Sequence, residues 1–190
     1  MAVTTTRRIS TPLLLVLSLV LAGCRASGVP SAHSSKIPGP LCAVYFSPHG
    51  GCTQEIVQAI WQAKVSVLVQ AYAFTSTPIA EALVAAYRRG VQVEVILDKS
   101  QVNDRRSAAS ILVRGGVPVE IDGAHAIAHN KVMVIDSQTV LTGSFNFTTS
   151  AEDRNAENLL AIQDRNLAIQ YAENWRAHQA HSKPYRLRGP

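Results

Sequence analysis

A chain of 190 residues with 47% hydrophobic and 16% charged content leaves room for one domain with a proper core, and excludes a chain too polar to fold. The formal charge is +5; setting aside Arg7 and Arg8 with an N-terminal leader leaves sixteen Lys and Arg against thirteen Asp and Glu, or +3. A mildly basic balance fits a polyanionic substrate and equally an ordinary solvated surface, so charge alone selects no partner.

Arg7 and Arg8 precede an apolar run from Leu13 to Ala22. The run is too short to cross a bilayer comfortably and suits the core of a signal peptide. It ends Leu21-Ala22-Gly23-Cys24, which resembles a bacterial lipobox. That resemblance implies cleavage before Cys24 and a lipid on its sulfur and amino group. The alternative is an ordinary secretory signal with a chance cysteine; the residues around Arg7 and Arg8 match twin-arginine export poorly. Residues 25–40 are rich in Ser, Pro, Gly and Ala without periodicity and read as a flexible tether. The expected organisation is a leader over 1–23, a tether over 24–40 and a single domain over 41–190. The mature protein is then a membrane-anchored lipoprotein facing the periplasm or cell exterior, or a soluble periplasmic or secreted protein if Cys24 is unmodified. Cys42 and Cys52 remain as a pair in an oxidising compartment, and a disulfide closing the short loop between them is expected. A metal shared with His49 is the alternative, although two cysteines and one histidine make a poor zinc set.

Within the domain, Ala43 to Ser47 reads as a short strand, and Thr53 can cap a helix over 54–63 with Ile56, Val57 and Ile60 on its inner face. Val65 to Phe74 is a continuous apolar strand, as in a sheet covered on both faces. Thr77-Pro78 opens a helix that Gly90 closes. A strand follows over 91–97, then a helix capped by Asp104 and running to Arg114, then a short strand over 117–121. Val132 to Ile135 and Val140-Leu141 form two apolar runs around a polar break, which predicts a hairpin. A turn over 151–155, a strand over 157–163 and a closing helix over 165–181 complete the chain. Strands alternating with helices predict a three-layer α/β/α domain with a mixed sheet, the hairpin supplying its antiparallel part.

The hairpin carries the chemistry. With Ser137 and Gln138 as the two loop residues, Lys131 falls opposite Ser144 and His129 opposite Asn146, gathering four polar groups on one face. An imidazole can attack or carry a proton near neutral pH, an ammonium can hold a phosphate, and hydroxyl and carboxamide groups can orient its oxygens. No carboxylate pair or Cys/His cage stands beside them in the sequence, so no metal or other cofactor is expected for this chemistry.

His129-Asn130-Lys131 followed by four residues and Asp136 matches the HxK(x)4D pattern of the phospholipase D superfamily, and Gly143-Ser144-Phe145-Asn146 matches the GSxN element that follows it. The similarity is closest to the small bacterial endonucleases of that superfamily and extends from about Tyr45 to Trp175, including Tyr72-Ala-Phe-Thr75 and Asn155-Ala-Glu157-Asn158. The resemblance implies that His129 attacks phosphorus to form a phosphohistidine. A second motif histidine protonates the leaving oxygen and later activates water. One motif per chain then implies a homodimer with the site across its two-fold axis. Lys131 and Asn146 are expected to hold the non-bridging oxygens, Ser144 to assist by hydrogen bonding, and Glu157 to orient the histidine. Asp136, of odd parity to His129, is expected to brace the hairpin.

Bland readings compete at other positions. His125 reads as a loop histidine or a second proton carrier, and His49 as a loop residue near the site. Arg105 and Arg106 could line a nucleic-acid groove or a solvated face. His178, His181, Lys183, Arg186 and Arg188 form a basic tail whose default is disorder. The leading function is a metal-independent endonuclease acting on DNA or also RNA. The alternatives are a phospholipase D-type hydrolase of lipid headgroups, which a membrane anchor favours, and a binding module that kept only the fold.

Overall fold

Eight strands hydrogen-bond into one open mixed sheet of order β1-β7-β6-β5-β2-β3-β4-β8 in the computed structural model, which describes residues 41–187. The leader, the tether, Cys24 and Arg188 lie outside the described residues. Among those described, no helix is long and apolar enough to cross a membrane. The strands are β1 (Leu41–Ser47), β2 (Ser66–Ala71), β3 (Gln92–Asp98), β4 (Val119–Asp122), β5 (Lys131–Ile135), β6 (Thr139–Gly143), β7 (Glu157–Gln163) and β8 (Lys183–Pro184). The helices are α1 (Cys52–Gln62), α2 (Thr77–Arg88), α3 (Ala109–Arg114), α4 (Thr149–Asp153) and α5 (Arg165–Gln179).

β2, β3 and β4 are parallel, joined by crossovers through α2 and α3, and all other pairs are antiparallel. The middles of β2 and β3 bury apolar side chains on both sides, Val67 to Val69 and Val95 to Leu97, because both sheet faces are covered there. On one face Val67, Val69, Val95, Leu97, Met133 and Leu141 pack with α1, α2 and α3. On the other, Leu68, Ile96, Val132, Val134 and Val140 pack with Ala168, Ala172 and Trp175 of α5. Trp175 also donates its Nε1–H to the buried carbonyl of Val69 at 2.8 Å, which pins α5 to the middle of the sheet. The expected three-layer α/β/α architecture is the one observed.

Local differences have physical causes. Asp104 accepts from the N–H of Arg106 at 2.9 Å and closes a tight turn of its own, so α3 starts only at Ala109. A short 3-10 turn over Lys99–Val102 precedes it. Thr53 does not cap α1. Glu152 of α4 does, taking the N–H of Gly51 at 3.2 Å and that of Thr53 at 2.7 Å, where a carboxylate also meets the positive end of the helix dipole. The basic tail is ordered at least as far as the two-residue pairing of β8 with β4.

The expected Cys42–Cys52 disulfide is absent; both are free thiols. Side chains alternate along β1, and Tyr45 turns toward α1, where its hydroxyl donates to Glu55 at 2.7 Å. Cys42, of opposite parity, is exposed on the other face, while Cys52 is buried at the start of α1. The Cys52 thiol is pushed up to about 11 by burial and by the nearby Glu152 carboxylate, so it packs as a small apolar side chain.

The hairpin register also differs from expectation. Ile135 pairs with Thr139 and Val132 with Thr142, so the loop is three residues, Asp136 to Gln138, with positive φ at Asp136 and Ser137. Asp136 selects this turn: its carboxylate takes the backbone N–H groups of Lys64 (2.9 Å), Val65 (2.7 Å) and Ser66 (2.9 Å). Its own N–H donates to the Ser66 carbonyl. The turn is thereby tied to the start of β2. Asp136→Ala should lower unfolding stability by about 1–3 kcal/mol, read as a shifted denaturation midpoint at constant slope.

Candidate active site

The last residues of β1, β2, β3, β4 and β6 and the first residues of β5 and β7 all lie along one edge of the sheet, as the strand directions require. Open α/β sheets bind ligands at the carboxyl ends of their parallel strands. This edge carries His129, Lys131, Ser144, Asn146 and Glu157.

Lys131, the first residue of β5, is only 7% exposed. Its ammonium donates to the His129 carbonyl at 2.8 Å and lies 5.0 Å from the centre of the Tyr72 ring. Burial pushes its pKa below the ordinary lysine value, and the Glu157 carboxylate pulls it part of the way back. His129 is exposed and packs against Tyr72 with ring centres 4.5 Å apart and planes tilted by 50°. Among the described residues its imidazole makes no hydrogen bond, so both ring nitrogens are available. The neighbouring Ala128 is buried, and its N–H donates to Asp98 at 2.8 Å. Burial alone would raise the Asp98 carboxyl. The hydrogen bonds from Ser100 and Ala128 prevail and hold it below the usual range, so it stays a carboxylate that clamps the loop before His129.

The GSxN element works by alternation. Phe145 and Phe147 are fully buried, which leaves Ser144 exposed and Asn146 half-buried between them. Phe147 also accepts the N–H groups of Thr75 and Ser76 at 3.0 and 2.9 Å, tying this segment to the one after β2. The Asn146 carboxamide oxygen is buried without a hydrogen-bond partner. Half a turn about its last bond exchanges that oxygen for two N–H donors. Such a group is ready for an oxyanion.

Strand β6 ends in a bulge. The N–H groups of Ser144 and Phe145 both donate to the Asn158 carbonyl, at 3.1 and 3.2 Å. The register shift therefore places Lys131 level with Gly143 rather than opposite Ser144, and no hydrogen bond joins His129 to Ser144, Asn146 or Glu157 among the described residues. Ser144 instead holds Asn158, donating to its Oδ1 at 3.1 Å and accepting its N–H at 3.0 Å. The Glu157 carboxylate accepts from the Asn155 side chain at 3.2 Å.

Among the other candidates, His49 sits in an exposed loop whose N–H donates to the Glu152 carbonyl at 2.9 Å. Arg105 and Arg106 are exposed, and Arg106 pairs with Asp104 at 3.3 Å. His125 is not beside His129; it turns to Asp122. Sequence reasoning gave no role to Tyr72 or Asp98. Their signal was their place at the ends of β2 and β3, on the same sheet edge as the start of β5 but distant in sequence.

A family model described as "Cardiolipin synthase, PLD-like domain" matches residues 56–178. The chain belongs to the phospholipase D superfamily. It is 47% identical over 130 residues to a protein named phospholipase D from Rickettsia prowazekii, a match spanning 68% of this chain and 63% of that protein. It is 30% identical over 137 residues to human mitochondrial cardiolipin hydrolase, of which the match spans 53%. The crystal structure of a phospholipase D family member, Nuc from Salmonella typhimurium, superposes with a TM-score of 0.74 at 38% identity, covering 78% of this chain and 99% of that one. This member thus has the superfamily's phosphodiesterase fold at single-domain size.

Gly143, at φ 150°, is where the bulge has to turn, and a Cβ there would stand 2.2 Å from the Asn158 carbonyl oxygen. Gly143→Ala should cost at least about 2 kcal/mol of stability by chemical denaturation, because the contact is with backbone that cannot swing aside.

Proposed function

We propose that the protein is a phosphodiesterase that hydrolyses DNA, with RNA as a second polymer, through a phosphohistidine on His129 at a site shared by two copies of the chain. The observation that carries this reading is the composition of the sheet edge. An exposed imidazole with both nitrogens free shares the edge with a buried ammonium and a carboxamide whose oxygen has no partner. Lys99, Arg105 and Arg106 follow β3 along that rim and suit a polyanionic backbone.

In this reading one His129 attacks phosphorus, forming the N–P bond as the P–O bond to the leaving strand breaks. The second copy's His129 gives its proton to the departing oxygen, then takes one from the water that cleaves the N–P bond. Lys131 and Asn146 neutralise the charge that builds on the non-bridging oxygens. Glu157 supports the Lys131 charge and is proposed to orient the imidazolium. The requirement for a second copy rests on one motif per chain. It is supported by an uncovered apolar strip on β1, where Val44 is 49% and Phe46 63% exposed. Export and a lipid at Cys24 belong to the same proposal and rest on the leader sequence alone.

Headgroup hydrolysis of phospholipids is the second reading, favoured by the names of the Rickettsia and human relatives. Plasmid, single-stranded DNA, RNA and cardiolipin vesicles offered to the same preparation separate the two. Hydrolysis of lipid without nicking of any nucleic acid would overturn the first.

His129→Ala should reduce turnover at least about 10³-fold with an unchanged melting curve. In co-expressed mixtures of wild-type and His129→Ala chains, activity should fall as the square of the wild-type fraction; a linear fall means that each chain acts alone. Because Glu157 raises the Lys131 pKa, Glu157→Gln should move the alkaline limb of the pH–rate profile to lower pH. An unmoved limb would show that Lys131 is not the group titrating there.

A further inference from the structure

Away from His129, the far end of the same sheet edge holds a second cluster. Asp122 ends β4, and its side chain is completely buried. Three imidazoles converge on it from two parts of the chain. His125 follows in the loop toward β5, His178 lies in the last turn of α5, and His181 comes one turn later. His178 Nδ1 is 2.8 Å from Asp122 Oδ2, His125 Nδ1 is 3.1 Å from the same oxygen, and His181 Nε2 is 3.3 Å from Oδ1. The three ring centres are 4.8, 5.2 and 5.4 Å apart.

As a hydrogen-bonded knot this arrangement leaves no acceptor to spare. Oδ1 already accepts the Ala124 N–H at 3.0 Å, and His125 lies within 3.2 Å of it as well as facing Oδ2. Four donor groups, the Ala124 N–H and three rings, therefore take up all of the about four lone-pair sites that the two oxygens offer. More than one protonated ring would also set cations side by side. A shared cation removes both difficulties, since the imidazoles then present lone pairs instead of N–H groups.

We propose that Asp122, His125, His178 and His181 form a structural site for a divalent transition metal of the zinc type. The four ligand atoms already lie within 4.8 Å of one another. Tetrahedral zinc with ligands at about 2.0–2.1 Å asks for donor separations of about 3.3 Å, so the Asp–His spacings need little change and only the rings must close in. Three nitrogens and one oxygen suit zinc, with cobalt, nickel and copper as chemical competitors. All four positions come from protein, which makes the site structural rather than catalytic. His125 and His181 are 46% and 37% exposed in their side chains, which leaves the metal a way in. The bound ion would tie the end of α5 to the loop over 123–130 that leads into His129, a loop otherwise held by Asp98 at Ala128 and by Lys99, whose ammonium donates to the His125 carbonyl at 2.8 Å.

The test is metal titration of the full chain, stripped with EDTA and returned to chelator-free buffer. Calorimetry with zinc chloride and elemental analysis after desalting should give one zinc per chain. The melting temperature should rise by about 5–10 °C at zinc a hundredfold above its Kd. Cobalt(II) should show the intense visible bands of four-coordinate geometry. His181→Ala and His125→Ala, both at exposed positions, should each weaken zinc binding at least about 100-fold, while His49→Ala should leave it unchanged. A folded chain that takes up no zinc, or binds it equally well in both variants, would overturn the proposal and leave a hydrogen-bonded cluster. These readouts do not depend on turnover at His129.

Discussion

Lys131 is a cation placed where the sheet admits almost no water, and the active edge is arranged around that fact. An ammonium in such a place is tolerated only with partners, and it has three: the His129 carbonyl, the face of Tyr72 and the field of Glu157. Each comes from a different strand end, so the edges of β2, β5 and β7 are held in common. The contact with the His129 carbonyl also links the position of the imidazole to that of the ammonium. Burial removes the competing water that would otherwise weaken the attraction between the ammonium and any anion that reached it. The cost of placing the charge there and the strength with which it acts have the same origin.

Much of the architecture was legible because it rests on patterns that local sequence carries. Apolar runs of strand length over 65–74, 91–97 and 132–135, separated by amphipathic helices with Pro78 and Gly90 at their ends, define a sheet covered on both sides. The motif residues were legible because the HxK(x)4D and GSxN patterns fix residue types and spacing within a short stretch, and these do not depend on the register of the hairpin. What failed depended on partners far away in the chain. The hairpin loop is three residues long because Asp136 finds N–H groups at the start of β2, and nothing near Ser137 announces them. The disulfide was argued from proximity in sequence, whereas strand parity sends Cys42 to the wrong face. Asp122, His125, His178 and His181 each looked ordinary alone; only the packing of α5 beside β4 gathers them.

The superfamily signature thus contains two separate physical demands. His129 and Lys131 sit at one edge of the sheet, where the proposed chemistry needs them. Asp136 answers to chain geometry at the opposite edge, five strand residues away. Its carboxylate contributes to the site only through the register that it imposes on β5 and β6. Gly143 belongs with Asp136 in this respect, since it shapes the bulge from which Ser144 and Asn146 are presented.

Among the described residues the outermost strand β1 pairs only with β7, and the cap on α1 comes from Glu152, about a hundred positions later. The N-terminal end of the domain therefore has no sheet partner and no helix cap until most of the chain exists. During synthesis β1 must wait, extended and apolar, while the central strands assemble without it. Closure of the domain is a late, long-range event, of the kind that makes folding slow and leaves an incomplete chain open to threading through a pore or capture by a chaperone.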